Sequence, residues 1–371
     1  MGPIRFAALA LAALTLAACT TLPPRTPSPW ELPYPERPQR RPPSGPPVVE
    51  QPPQPPPPVA FELGALPGWA EDDHAGAFAA YLQTCQVARD PAYAAVCDKA
   101  RQAGPLDEAA ARRFFETNFR AAPSGPDGLL TAYFSPEYEA RFSSQGEFTA
   151  PVRPRPPLLP AGGQPWYDRA TIEQTPEARP LAWMRPEDLF FLQIQGSGTL
   201  VLPDGRRIKA IFDGHNGQPF VGIAAPMRDI GLLPGNNTSG TAIRNWLAEH
   251  RGPDADAIMR LNPRYVFFRT APDDGLDPAG AAGVPLPPGR AIAVDLSRHV
   301  LGEPYWIEAH APVLTGAFPA YRRLVMALDT GGAIKGETRA DLYIGKGDAA
   351  GAEAGRVKHT LRMYRLVPVV P

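Results

Sequence analysis

Hydrophobic residues along the chain first form an apolar run, Phe6–Ala18, behind a single basic residue, Arg5. The run is too short to span a bilayer as a lasting anchor and fits the apolar core of a secretory signal. From Leu22 to Pro58 the pattern vanishes, because close to half of the positions are proline. Helical spacing then predicts helices over Gly76–Val87 and Ala92–Ala103, joined across Asp90-Pro91. A third opens at Leu106-Asp107-Glu108 and runs through Asn118, with Ala110, Phe114, Phe115 and Phe119 on its apolar face. Leu129–Phe134 reads as a strand, and beyond it the period shortens. Brief apolar or alternating runs at Phe190–Ile194, Gly198–Leu202, Lys209–Phe212 and Tyr265–Arg269 predict a β-rich middle with a hairpin turn at Pro203-Asp204-Gly205. One helix, Thr241–His250, is expected there, ending at Gly252-Pro253. The prolines between Pro151 and Pro160 fit irregular surface or an edge strand. The last ninety or so residues give strands at Ala291–Val294, Tyr305–Glu308, Arg323–Leu328, Ala340–Ile344 and Val357–Leu366. Short strands at that spacing, with almost no helix, indicate a small barrel.

The apolar run closes on Leu16-Ala17-Ala18-Cys19, small residues before a cysteine of the kind a lipoprotein signal peptidase accepts. Cys19 is therefore the expected lipidation site, since several acyl chains together anchor a protein stably. Thr20 follows it where an inner-membrane retention signal would place Asp, so the expected location is the outer membrane, facing the periplasm. The proline-rich stretch becomes a semi-stiff tether able to reach on the order of 100 Å. Charge is nearly balanced, with 37 Lys and Arg against 38 Asp and Glu, which argues against a nucleic-acid partner. After Cys19 only Cys85 and Cys97 remain, a candidate disulfide in an exported chain if their helices fold back at Pro91. The histidines are scattered without metal-ligand spacing, so neither metal nor cofactor is expected.

The segment from Val325 to Gly347, VMALDTGGAIKGETRADLYIGKG, carries the chemistry. Asp329 and Asp341 each sit in a strand context at either end of a glycine-rich turn, and Asp295 in AIAVDLS has a similar setting. An aspartate after a strand commonly just caps a turn. Three in one barrel, with Gly331-Gly332 permitting close backbone approach, shift the reading toward a site.

These residues resemble the membrane-bound lytic transglycosylase A (MltA) family of murein hydrolases and its 3D domain, named for three aspartates. DTGGAIKG, RADLYIG and Gly347 carry the 3D pattern, while LTAYFSPEYEA, FFLQIQGSG, GHNGQPFVGI and LNPRYVFFR follow the family's inserted domain in order. The resemblance implies a mainly β fold with N-terminal helices. A double-psi β-barrel domain would be assembled from residues 60–135 and 275–371, around an inserted β-barrel-like domain at 136–274. Residues 1–18 would be signal peptide and 19–59 tether. A groove between the two domains would bind peptidoglycan glycan strands, with murein synthases as candidate protein partners.

The implied activity is that of a lytic exotransglycosylase, a lyase that cleaves between N-acetylmuramic acid and N-acetylglucosamine and leaves 1,6-anhydro ends. The sugar's own C6 hydroxyl is the nucleophile, so one carboxyl group serves first as acid and then as base. The resemblance assigns that role to Asp341, with Asp329 and Asp295 in support. Candidate sugar contacts are the amides of Gln193, Gln195 and Asn216, the Ser197 hydroxyl, the rings of Tyr133 and Tyr138, and the Gly331-Gly332 backbone. Gln193 and Gln195, read as strand residues, would share one face. Lys335 is a candidate for the carboxyl group of the muramyl lactyl arm or peptide, and Glu137 and Glu139 are weaker alternative acids. Asp329-Thr330-Gly331 also matches the triplet of an aspartic peptidase, which needs two such aspartates sharing a proton. A non-catalytic murein-binding lipoprotein is the remaining alternative.

Overall fold

The computed structural model describes residues 59–177, 179–233, 237–311 and 318–369, so the leader, Cys19 and the stretch Leu22–Pro58 lie outside the described residues. Three helices come first, α1 (His74–Thr84), α2 (Pro91–Ala103) and α3 (Glu108–Asn118), then strands β1 (Phe119–Pro123) and β2 (Gly128–Ser135). The middle carries β3 (Glu137–Glu139), β4 (Ala150–Val152), α4 (Arg169–Gln174), β5 (Ala182–Met184), α5 (Pro186–Gln195), β6 (Gly198–Val201), β7 (Arg207–His215), α6 (Ala224–Asp229), α7 (Gly240–Glu249), α8 (Pro253–Met259) and β8 (Val266–Pro272). The chain then returns as β9 (Ala291–Ala293), β10 (Pro304–His310), β11 (Ala320–Asp329), β12 (Arg339–Lys346), α9 (Gly347–Ala354) and β13 (Lys358–Pro368).

Strands from both ends of the described chain close one barrel, in the order β13-β10-β11-β9-β12-β2 and back to β13. Closure depends on the length of β13. One of its edges pairs with β10, and the other is shared between β2 at Lys358–Leu361 and β1 at Tyr364–Pro368. Strand β11 is apolar almost throughout because both of its faces are covered. Val325 and Ala327 join the inner core with Leu130, Ile307 and Leu342. Leu324, Met326 and Leu328 join the outer core with Trp69, Phe78, Phe115 and Trp306 beneath the N-terminal helices. Those helices start where aspartates stop the preceding chain: Asp73, Asp90 and Asp107 each accept a backbone N–H from the first turn.

A disulfide joins Cys85, just past α1, to Cys97 on α2, with Cα atoms 5.4 Å apart. A loop of this length stabilises by about 2–3 kcal/mol through the entropy it removes from the unfolded chain. Replacing both cysteines by alanine is expected to lower the unfolding free energy by that amount in chemical denaturation. A loss under about 1 kcal/mol would mean that packing alone holds α1 to α2.

The middle segment forms its own ring. Strands β3-β6-β7-β8 make a four-stranded sheet and β4-β5 a two-stranded one. Isolated bridges Pro154–Phe268 and Arg141–Trp183 tie the smaller sheet to both edges of the larger, giving a barrel-like unit around Val152, Met184, Leu200 and Phe268. It is more helical than the sequence reading expected, with α4, α5, α6, α7 and α8 instead of one helix. The Phe190–Ile194 run belongs to helix α5. Pro186 sits at its first turn beside Glu187 and Asp188, and Gly196, with φ of 84°, ends it. A short, mostly apolar stretch such as this fits a buried helix as well as a buried strand, and the caps decide it. Helix α9 is likewise unexpected in the last segment; Gly351 packs so closely on Phe134 that an added Cβ would lie 2.8 Å from the ring. Among the described residues no helix is long and apolar enough to cross a membrane.

Candidate active site

Strand register brings the two aspartates of the glycine-rich segment together. Ala293 of β9 pairs with Asp341 of β12 on one side and Asp329 of β11 on the other. The carboxylates thus stand one strand apart at the same level of the barrel, about two strand spacings between backbones. On the far side of β12, β2 runs parallel with Thr131 opposite Asp341 and Tyr133 opposite Tyr343. All of these except Tyr343 line a cleft of about 250 Å³ between the barrel and the middle unit. The middle unit contributes Gln193, Ile194, Gln195, Phe220, Asn262 and Arg264 to it, and the barrel contributes Gly331, Gly332, Ile334 and Arg339.

The two carboxyl groups have different surroundings. Asp329 is fully engaged: Oδ2 accepts the Tyr133 hydroxyl at 2.7 Å, and Oδ1 accepts the backbone N–H groups of Ala281 and Thr330 at 2.9 Å. Burial pushes its pKa up, and those three donors pull against the rise. Asp341 is also pushed up, first by burial and further by the charge of Asp329, against a single hydroxyl donor and the nearby Arg339. That donor is Thr131, whose Oγ1 bonds to Asp341 Oδ1 and in turn accepts from Arg339 Nη2 at 2.8 Å. A guanidinium only donates, so the Thr131 proton is left for Asp341 Oδ1. Among the described residues Oδ2 of Asp341 has no hydrogen-bond partner.

Asp295 plays a different part. It is buried beside the cleft but does not line it, and its pKa is lowered to about 2 by the Gly336 N–H first, then by Ser297 and Lys335. Together with His299, which donates from Nε2 to Glu337 O at 2.8 Å, it ties down the loop between Asp329 and Asp341. The Thr330 hydroxyl adds a bond to Val294 O at 2.9 Å.

Several sequence candidates lie elsewhere. Gln193 and Gln195 do not share a strand face, because two residues along a helix point to nearly opposite sides. Gln193 is buried with Nε2 on Val266 O at 3.4 Å, and Gln195 Oε1 accepts Phe134 N at 3.2 Å. Both still reach the cleft lining. Asn216 is buried and ties loops together, donating to Tyr167 O and Pro263 O at 2.8 Å and accepting from Tyr265 N. Ser197 lines a separate cleft with Lys209 and Lys346. Tyr138 lies under Arg244, and Lys335 is exposed, 3.7 Å from Asp295. None of these four lines the cleft of the two aspartates. Glu137 pairs with Arg207, and Glu139 with Arg185 and Arg141. Asp329 and Asp341 share no hydrogen bond, so they do not form the proton-sharing dyad of an aspartic peptidase. Thr131, Arg264 and Arg339 also line the cleft, and all three lie inside segments that carry the resemblance, LTAYFSPEYEA, LNPRYVFFR and RADLYIG, without being expected there as site residues.

Comparison with known proteins agrees with this architecture. Residues 129–269 match the MltA specific insert domain and residues 290–367 the 3D domain. The chain is 33% identical over 247 residues to a membrane-bound lytic murein transglycosylase A of Vibrio cholerae, a match covering 64% of this chain and 65% of that protein. The crystal structure of a membrane-bound lytic murein transglycosylase from Agrobacterium tumefaciens is similar with a TM-score of 0.70 and 33% identity, covering 84% of this chain and 98% of that one. Escherichia coli MltA with bound chitohexaose is similar with a TM-score of 0.64 and 28% identity, over 84% and 92% of the two chains.

Proposed function

Because this chain belongs to the membrane-bound lytic murein transglycosylase A family, we propose that it cleaves the β-1,4 bond between N-acetylmuramic acid and N-acetylglucosamine in peptidoglycan, leaving 1,6-anhydromuramyl ends. The observation that carries this reading is the unequal pair of carboxyl groups in one cleft. Asp329 accepts hydrogen bonds from three donors, and among the described residues Asp341 keeps one oxygen without a partner.

In the proposed cycle Asp341 enters protonated. It gives its proton to the glycosidic oxygen as the bond to C1 breaks and positive charge develops on the muramyl ring. The resulting carboxylate then takes the proton of the C6 hydroxyl as that oxygen closes on C1. The product is an anhydro sugar, no water is consumed, and Asp341 is again protonated. The Asp329 anion raises the affinity of Asp341 for its proton and stabilises the positive ring electrostatically. Asp295 positions the loop between them. Gln195, Tyr133 and the Gly331-Gly332 backbone supply sugar contacts, as the chitohexaose bound by the Escherichia coli relative encourages.

Digestion of purified sacculi tests the reaction. Mass spectrometry is expected to find muropeptides lighter by one water than their reducing counterparts. Reducing ends alone would make the protein a hydrolase, and no release at all would support the murein-binding lipoprotein. The proposal extends to an acylated Cys19 holding the chain at the outer membrane, to the residue ranges 60–135 with 275–371 and 136–274 as its two domains, and to murein synthases as neighbours.

A further inference from the structure

Arg264 stands out among the arginines of the middle unit. Arg185, Arg244 and Arg251 each reach a carboxylate. Arg264 is half-buried in the wall of the cleft, and among the described residues it forms no ion pair. Its Nη1 donates to Gln218 O at 3.2 Å, and its Nε and Nη2 make no hydrogen bond within the described residues. Its position is built and not incidental. Asn262 Oδ1 accepts the Arg264 N–H at 3.3 Å, and Arg169, itself buried, donates to the Arg264 carbonyl at 2.7 Å. Across the cleft the guanidinium packs on Gly332, where an added Cβ would lie 3.4 Å from Cζ. The pKa of His215 is lowered first by burial and further by the charge of Arg264. A guanidinium taken partly out of water with no counter-ion is costly unless an anion completes it, and its unused Nε and Nη2 edge has the fork that fits a carboxylate.

The glycan proposed above supplies such an anion. The muramyl sugar carries a lactyl arm on O3, and its neighbour N-acetylglucosamine carries none. That arm ends in a carboxylate when the stem peptide is absent, and when the stem is present its first free carboxylate lies a short distance further out. We propose that Arg264 binds the carboxylate of the muramyl O3 arm and so distinguishes murein from an uncharged chitin-like strand. The inference rests on the transglycosylase reading and names the group that this same cleft selects. Lys335, the residue the sequence suggested for this carboxylate, is turned to Asp295 instead.

The test compares three probes: glycan strands stripped of peptide by an amidase, strands bearing stem peptides, and chitohexaose, which has no lactyl arm. Arg264→Gln is expected to raise KM about tenfold or more on at least one of the armed strands. Turnover at saturation should stay within about twofold, and chitohexaose Kd should not move. A rise confined to stripped strands identifies the lactyl carboxylate as the ligand. A rise confined to peptide-bearing strands identifies the stem. Arg264→Lys should fall between wild type and Arg264→Gln, because it keeps the charge and loses the fork. A check free of folding effects uses the wild-type protein on stripped strands whose carboxylates have been converted to methyl amides, with the same rise in KM expected if the lactyl carboxylate is the ligand. Unchanged KM on both armed strands, or an equal loss of chitohexaose affinity, would overturn the inference while leaving the cleavage reaction intact. A wild-type protein inactive on every armed strand would overturn the reaction itself.

Discussion

Asp341→Asn is expected to reduce release of anhydromuropeptides by about 10³-fold or more while leaving murein binding in place. The asparagine fits the same space. Its Oδ1 still accepts the Thr131 hydroxyl, and the Arg339–Thr131 bond is untouched. What disappears is the proton for the leaving oxygen and the base for the C6 hydroxyl, both steps at once. Stability is expected to move the other way. Burial raises the Asp341 pKa above its unfolded value of about 3.9, so its stabilising contribution is fully present below that value and lost as pH rises through the folded pKa. Asparagine has no such penalty, so at neutral pH the variant should melt at or above the wild-type temperature. A folded Asp341→Asn or Asp341→Ala protein that still releases anhydromuropeptides would move the proton to another residue, and a variant that fails to fold would make Asp341 structural.

The part of this site that was legible in the sequence is the part carried by local pattern. Leu324–Leu328 of β11 is buried on both faces, so its apolar run is continuous and Asp329 at its end is easy to place, while Asp341 lies within β12 between Ala340 and Leu342. The glycines between them mark a turn in any reading. What the sequence did not disclose was brought in by pairing over long range. Thr131 lies opposite Asp341 only because β2 and β12 run parallel across the inserted middle unit. Arg264 reaches Gly332 from the end of that unit, and although both lie in segments the sequence singles out, neither shows that the two meet. The misreading of α5 has a different origin. Leu189 to Leu192 are apolar in succession, so helical and extended periods both fit, and only Pro186 and Gly196 decide. Asn216 looks like a sugar contact in the sequence because planar amides suit sugars and backbone groups equally. Here its amide is used up by backbone groups of two loops.

Asp329→Asn is expected to lower activity about 10–100-fold and to move the alkaline limb of the pH profile to lower pH. The substitution can keep the local geometry. Asn Oδ1 retains the two backbone N–H donors from Ala281 and Thr330, and the Tyr133 hydroxyl turns from donor to acceptor toward the new amide. The change is therefore one of charge. With the anion gone, one of the two causes that hold the Asp341 pKa up is removed, while burial remains. Asp341 acts as an acid, so the rate falls as pH rises through its pKa, and a lower pKa brings that fall to lower pH. Part of the lost activity at neutral pH should then return on acidification, which a collapsed site would not allow. Measuring kcat/KM against pH for both proteins separates the outcomes, since that quantity reports the free enzyme. An alkaline limb that stays in place would mean that Asp329 does not influence the proton on Asp341. A loss of activity at every pH as deep as that of Asp341→Asn, with nothing recovered on acidification, would mean that the two aspartates exchange the roles proposed for them, with Asp329 as the acid.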